Sequence, residues 1–166
     1  LLCMCLCAIY STSAQHLNAD DLFASGDFES AAVAYEILYL LSADDSALLS
    51  KSFAYKADGN YEAALHNLDR ITSLQVNYEK ALIYYLKQDF ESCFNQLLRI
   101  QMSDNSQKSE AFHLLYVMTL ISRNEFTQAR AYMMTIHSFG LQKEVIEQLI
   151  PKKLKTKSIN KAYNIS

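Results

Sequence analysis

The sequence predicts an all-α fold built from repeated pairs of helices, and three observations lead to that expectation. Only 3 of the 166 residues are glycine and 1 is proline, whereas an all-β fold needs many turn residues. Hydrophobic residues make up 51% of the chain, which is enough for a sizeable core. A motif with an aromatic residue and, three positions later, a small residue occurs four times along the chain. Helices joined by short loops account for all three observations.

The first ten residues form an uncharged apolar run that is too short to span a bilayer. A buried amphipathic helix fits this run poorly, because the run has no polar face. Small polar residues follow it, and Thr12 and Ala14 stand where a signal-peptide cleavage site requires small side chains. We therefore expect residues 1–14 to be the remnant of a signal peptide, and the protein to be exported to the periplasm, the cell envelope or the medium.

The repeated motif is the main signal in the rest of the chain, because self-similarity at a fixed period indicates a repeat architecture. Its aromatic residues are separated by 33, 29 and 36 positions. These aromatic residues are Phe28, Tyr61, Phe90 and Phe126. The small residues of the four motifs are Ala31, Ala64, Cys93 and Ala129. Each motif stands between two apolar stretches, so that each predicts a turn between two helices.

Local signals place the ends of these helices. Gly26 and Gly59 suit a turn that needs unusual backbone dihedral angles. Asp27, Asn60 and Asp89 can cap the helices that follow, because their side-chain oxygens accept free backbone N–H groups. The apolar side chains of the second helix recur at helical spacing as Val33, Ile37, Leu40 and Leu41. The predicted helices cover about 16–25, 29–41, 46–57, 62–73, 77–87, 91–101, 107–122, 126–138 and 142–150.

These motifs resemble the tetratricopeptide repeat (TPR), a helix–turn–helix unit of about 34 residues. The resemblance covers roughly residues 15–138 and implies a right-handed α-solenoid of about four repeats. In the first helix of each repeat, the small residue that lets helices approach closely would be Ala19, Ser52, Ala81 or Val117. A last helix over 142–150 would cap the array, so we expect one repeat domain over 15–150. Gln88 and Asn124 replace the turn glycine, and no repeat closes with proline.

Charge is distributed unevenly along the chain. Seven acidic residues and no basic residue lie between Asp20 and Asp45, whereas five lysines and no acidic residue lie between Lys152 and Lys161. We expect residues 151–166 to be a basic tail, either disordered or truncated, that could also approach an anionic surface. The formal net charge of −3 argues against a nucleic-acid partner.

Residues suited to catalysis do not form a recognisable pattern. The sequence has no phosphate-binding loop, dinucleotide fingerprint or nucleophile elbow, and its four histidines lack metal-ligand spacing. After removal of residues 1–14, Cys93 would be the one cysteine left, and we expect it to be buried. We expect His113 to lie in the core or at the edge of a groove. The sequence therefore predicts no enzyme, no cofactor and no metal.

The resemblance implies a function in binding, because the first helices of TPR arrays line a concave groove that holds peptides or proteins. The Lys, Arg and Asn residues with which some family members clamp a peptide carboxylate are missing here. The residues that would line the groove are instead apolar, and we expect six of them to bind a partner: Phe53, Tyr78, Leu82, Tyr85, Leu114 and Met118. The chain would then be a non-catalytic scaffold or adaptor. The alternative is a sensing or anchoring ectodomain of a longer membrane-associated protein.

Overall fold

The structure is a computed structural model that describes residues 18–73, 76–102, 108–136 and 148–149. Within these ranges all regular secondary structure is helical and no strand is formed, which confirms the all-α prediction. The expected signal-peptide remnant (1–14) and basic tail (151–166) lie outside the described residues. So does the expected capping helix over 142–150, apart from the helical residues 148–149.

The helices largely follow the predicted boundaries. The first helix, α1, is described over residues 18–24. The others are α2 (Phe28–Ser42), α3 (Asp45–Ala57), α4 (Tyr61–Leu68), α5 (Val76–Leu86), α6 (Phe90–Met102), α7 (Glu110–Ser122) and α8 (Phe126–Thr135). The main difference concerns α4, which ends at Leu68 although the sequence pattern predicts a helix to residue 73. Asn67 and Asp69, both weak helix formers, stand at this end.

The chain divides into two compact units, one up to Ile83 and the other from Tyr84 onward, so the division falls within α5. In the first unit, α2 packs against α3, and α3 packs against α4. In the second unit, α6 packs against α7, and α7 packs against α8. Helices that are neighbours in sequence therefore pack together within each unit, as short connections favour.

All four turn motifs have the same backbone geometry. In each, one residue has a positive φ angle: 85° at Gly26, 79° at Gly59, and 61° at both Gln88 and Asn124. The N–H of the next residue donates to the carbonyl five positions earlier, at donor–acceptor distances of 2.8–3.0 Å. This pair of features defines a Schellman helix end, which satisfies carbonyls that the helix leaves unpaired. The sequence repeat is therefore also a repeat of local structure.

The predicted helix caps form at three of the four turns. Asp27 and Asn60 each accept a hydrogen bond from the backbone N–H three residues later, at 3.2 Å. Asp89 accepts the corresponding bond from Ser92 at 3.0 Å. Glu125 occupies the fourth cap position and makes no such side-chain bond. Asp27, Asn60 and Asp89 thus accept hydrogen bonds from backbone N–H groups that have no partner within the helix.

The small residues of the repeat are buried at equivalent positions. The small residues of the four motifs, Ala31, Ala64, Cys93 and Ala129, are all completely buried. The predicted small residues of the first helices, Ala19, Ser52, Ala81 and Val117, are buried as well. The motif aromatics are only half-buried, and they cover the turns. Phe28 packs edge-to-face on Phe23 with ring centroids 5.3 Å apart, and Phe90 packs on Tyr85 in the same way.

Helix α2 is formed as predicted, but its regularly spaced apolar residues do not face the core. The buried side chains of α2 are Ala31, Ala32, Tyr35 and Leu38. The four side chains that recur at helical spacing, Val33, Ile37, Leu40 and Leu41, are exposed. Since α2 carries apolar residues on both sides, their spacing indicated a helix without indicating its buried face.

Candidate functional site

The first unit contains a groove of about 360 Å³ between α3, the segment that follows α4, and the start of α5. Four apolar side chains form most of its surface: Leu49, Phe53, Ile71 and Val76. Polar residues complete the lining, namely Asp45, Ser46, Ser73 and Glu79. The groove therefore offers an apolar surface with hydrogen-bonding and acidic groups.

The groove forms between one face of α3 and the non-helical segment that follows α4. Leu49 and Phe53 are one helical turn apart, so that they share a face of α3. At the other side, α4 ends at Leu68, and the chain turns through Asp69 and Arg70. Ile71 then follows outside the helix and is almost completely buried. The early end of α4 thus brings a non-helical segment alongside α3.

A lysine ties the α3 side of the groove to α5. The Lys56 ammonium lies 2.7 Å from the Glu79 carboxylate and 4.7 Å from the centroid of the Phe53 ring. These contacts balance the charge of Glu79 and limit the freedom of the Phe53 ring. The acidic group that is not paired in this way is Asp45, which is exposed at the start of α3.

Hydroxyl and carboxylate groups are the polar groups of the lining. Its hydroxyl groups belong to Ser46 and Ser73, and no histidine or cysteine is among the lining residues described. The Ser46 hydroxyl lies 2.7 Å from the carboxylate of the cap residue Asp44, which is also bound by the Ser46 backbone N–H. The Ser46 hydroxyl is therefore held in the cap at the start of α3. The groove is suited to binding apolar side chains.

One of the six predicted partner-binding residues, Phe53, lines this groove. Tyr78 and Leu82 lie one turn apart on α5 in the first unit, half-buried and outside the groove lining. Tyr85 belongs to the second unit, where its ring packs edge-to-face on Phe90 at 5.5 Å. Leu114 and Met118 lie one turn apart on α7, also half-buried. A single binding surface formed by all six residues stays a prediction.

Sequence reasoning missed the half of the groove that lies after α4. The sequence pattern predicts Ile71 inside a helix over 62–73, and neither Ser73 nor Val76 is among the predicted partner-binding residues. A signal for the early helix end was present, because Asn67, Asp69, Thr72 and Ser73 all have low helix propensity. That signal was weaker than the apolar spacing of Leu68 and Ile71, which favoured a longer helix.

In the second unit, the polar aromatic residues form a packed cluster. One ring nitrogen of His113, Nδ1, lies 2.9 Å from the Tyr132 hydroxyl, and the Tyr132 ring lies 4.5 Å from that of Tyr116. Burial raises the pKa of Tyr132 to about 12 and lowers the pKa of His113. Burial thus favours the neutral form of each side chain, as expected for groups that pack against one another. His113 is half-buried, in keeping with the position predicted for it.

Cys93 is buried, as predicted. Its sulfur lies 3.2 Å from the Thr119 hydroxyl, and the Thr119 hydroxyl in turn donates to the Leu115 carbonyl at 2.7 Å. Burial raises the pKa of the Cys93 thiol, so that the unreactive protonated form is favoured. In the ranges that the structure describes, no histidine, cysteine and carboxylate side chains cluster as metal ligands.

Comparison with known proteins does not identify the chain. The sequence matches no protein-family model and no curated protein. No helix within the described ranges has the length and apolar character needed to cross a membrane.

Proposed function

We propose that this protein is a non-catalytic interaction module, a TPR-like α-solenoid of about four repeats that holds a segment of a partner protein. The observation that carries the proposal is the apolar groove of the first unit, which contains Phe53. Four turns of equal geometry support the repeat architecture. The buried small residues at equivalent positions of the repeats support it further.

The chemistry of the groove favours an apolar peptide segment as its ligand. Leu49 and Phe53 provide accessible apolar area, and desolvation of such area is the main source of affinity in peptide grooves. Lys56 already pairs with Glu79, whereas Asp45 is exposed. A basic residue of the ligand near Asp45 would therefore add electrostatic selectivity, as well as some dependence on salt.

The test starts from short peptides selected for binding to the immobilised chain from a random display library. The tightest peptide, labelled with a fluorophore, is then titrated with the wild type and with Phe53→Ala. Since Phe53 provides a large apolar surface in the groove, its loss should weaken binding about thirtyfold, or by about 2 kcal/mol.

Tyr61→Ala provides the matched control, because Tyr61 is a half-buried aromatic residue of the same unit that does not line the groove. This control should bind the selected peptide as the wild type does. Circular dichroism spectra would verify that both variants keep their helices. Equal binding by wild type and Phe53→Ala would place the binding surface elsewhere and contradict the proposal.

The wider partner surface is a second part of the proposal. Simultaneous replacement of Tyr78 and Tyr85 by alanine should lower affinity by about 2–4 kcal/mol if both rings contact the partner. Because Tyr85 packs on Phe90, the single variant Tyr78→Ala is the cleaner measurement. Unchanged binding by Tyr78→Ala would restrict the site to the groove of the first unit.

We also propose that the protein is exported and that its mature form begins at Gln15. The support is the apolar run followed by small residues at the start of the sequence. Intact-mass measurement of the protein from its native source tests this directly. Retention of residues 1–14 would contradict export by this route.

A further inference from the structure

Helix α2 has an apolar face that the packing of the first unit does not use. It consists of Val33, Ile37, Leu40 and Leu41, which we call the α2 outer stripe. Leu40 is 72% exposed, Val33 and Leu41 are each 58% exposed, and Ile37 is 46% exposed. Their spacing of four, three and one residues places all four on one side of the helix, opposite the buried Ala31, Tyr35 and Leu38.

Exposed aliphatic residues that occur singly need no explanation, but a contiguous row indicates an interaction site. The spacing of the stripe matches the anchor positions by which one amphipathic helix packs on another. None of the four residues lines the groove between α3 and α5. The α2 outer stripe is therefore a separate surface from the proposed peptide groove.

The charges around the stripe restrict what can bind there. Between Asp20 and Asp45, which includes all of α2, the chain has seven acidic residues and no lysine or arginine. Glu29 is exposed one turn before Val33. Glu36 borders the stripe too, but its carboxylate lies 2.8 Å from Lys51 and 3.7 Å from Arg70, which balance its charge. Glu29 is thus the exposed acidic group one turn from the stripe, and its charge favours a basic partner.

A second copy of this chain that docks through its own α2 is a poorer candidate for the same reason. Pairing of two α2 helices would bring two sets of acidic residues together, and like charges at an interface lower affinity. An anionic membrane surface would be repelled in the same way. We propose that the α2 outer stripe docks a basic amphipathic helix of a partner protein, with its aliphatic side chains on the stripe and its lysines or arginines towards Glu29.

The experiment uses the full chain and two synthetic helical peptides that share a leucine face. One peptide carries lysine on its polar face and the other carries glutamate. The lysine peptide should bind at least about tenfold more tightly than the glutamate peptide, and added salt should reduce the difference. Replacement of Ile37 and Leu40 together by serine should weaken binding of the lysine peptide about tenfold or more.

Two controls separate the stripe from other surfaces. Replacing Leu86 and Met134 by serine removes exposed apolar side chains on other helices and should leave binding unchanged. Phe53→Ala measures how much of the lysine peptide binds in the groove, and a loss in this variant with none in the stripe variant would place the peptide in the groove and overturn the proposal. Since Ile37 and Leu40 are exposed, the stripe variant is expected to keep its fold, which circular dichroism would verify.

Several results would overturn the proposal. Equal affinity for the two peptides, or an unchanged affinity in the stripe variant, would show that the stripe is not a site for a basic helix. Dimerisation that is lost in the stripe variant, measured by sedimentation without peptide, would identify a second copy as the occupant. Binding to phosphatidylcholine vesicles that is lost in the same variant would identify a membrane surface instead.

Discussion

The two units form the same helix–turn–helix connection with different residues at its most demanding position. The first unit has Gly26 and Gly59 there, whereas the second unit has Gln88 and Asn124 at a φ of 61°. A side chain in this left-handed region costs free energy that glycine avoids. The difference shows that glycine is not what creates the turn. The hydrogen bonds of the helix end are present in all four turns.

The interiors of the units differ as well. The core around α1, α2 and α3 contains many alanines, and charged pairs such as Lys51 with Glu36 connect its helices. The second unit has instead a group of neighbouring aromatic rings, Phe94, Phe112, Tyr116 and Tyr132. Both units thus bury small residues at the motif positions, and the second unit adds large aromatic side chains to its interior.

The largest expected effect tests the aromatic interior of the second unit. Phe112 is almost completely buried, so Phe112→Ala should lower the free energy of unfolding by about 3–5 kcal/mol. Phe126 is a turn aromatic and only half-buried, so Phe126→Ala should cost less. Urea denaturation followed by circular dichroism measures both values. Equal losses would contradict the distinction drawn between interior rings and turn rings.

The turns provide the next prediction, with opposite signs in the two units. A Cβ atom at Gly26 or Gly59 would meet no atom within 4 Å, so Gly→Ala there costs only the strained dihedral angle, about 1–2 kcal/mol. Gln88→Gly should instead stabilise the protein by about 0.5–1 kcal/mol, after the entropy of glycine in the unfolded chain is deducted. Asn124→Gly should raise the free energy of unfolding by a smaller amount, because asparagine tolerates the left-handed conformation. Destabilisation by Gln88→Gly would contradict the prediction.

The helix caps give a smaller effect. Asp27→Ala, Asn60→Ala and Asp89→Ala each remove a side-chain acceptor and should cost about 1 kcal/mol. Glu125→Ala is the internal control. Glu125 makes no side-chain cap bond, so this substitution should lower the free energy of unfolding less than the other three. Thermal unfolding of the four variants would rank them. A cost for Glu125→Ala equal to the others would point to its ion pair with Arg123 at 2.8 Å.

The smallest predicted effect is a pH dependence in the first unit. The hydrogen bond from Lys51 lowers the pKa of Glu36 below its ordinary value of 4.5. A lowered pKa means that this pair stabilises the fold above pH 4.5 and that its contribution disappears as the pH falls through the folded-state value. Glu36→Gln should therefore be less stable than the wild type at pH 7, and the difference should vanish at strongly acidic pH. A difference independent of pH would indicate lost packing instead of lost charge.

Local patterns in the sequence predicted most of the helices and their turns. The motif around Gly26 combines a left-handed residue, a cap and a small residue three positions after the aromatic, and each acts within a few residues of chain. The same holds for the turn at Gly59. Such short-range preferences are readable in a single sequence, because the hydrogen bonds that express them join residues at most five positions apart.

Only the tertiary structure decided which side of α2 is buried, where α4 ends and which residues line the groove. Val33, Ile37, Leu40 and Leu41 have the spacing of a core stripe, yet Ala31, Ala32, Tyr35 and Leu38 are the residues that face the core. The buried face combines the small Ala31 and Ala32 with Tyr35 and Leu38, and this mixture packs with Ala19, Ala47 and Ala54 of the neighbouring helices. Burial is a property of all neighbouring helices together, and the spacing within one helix does not contain it.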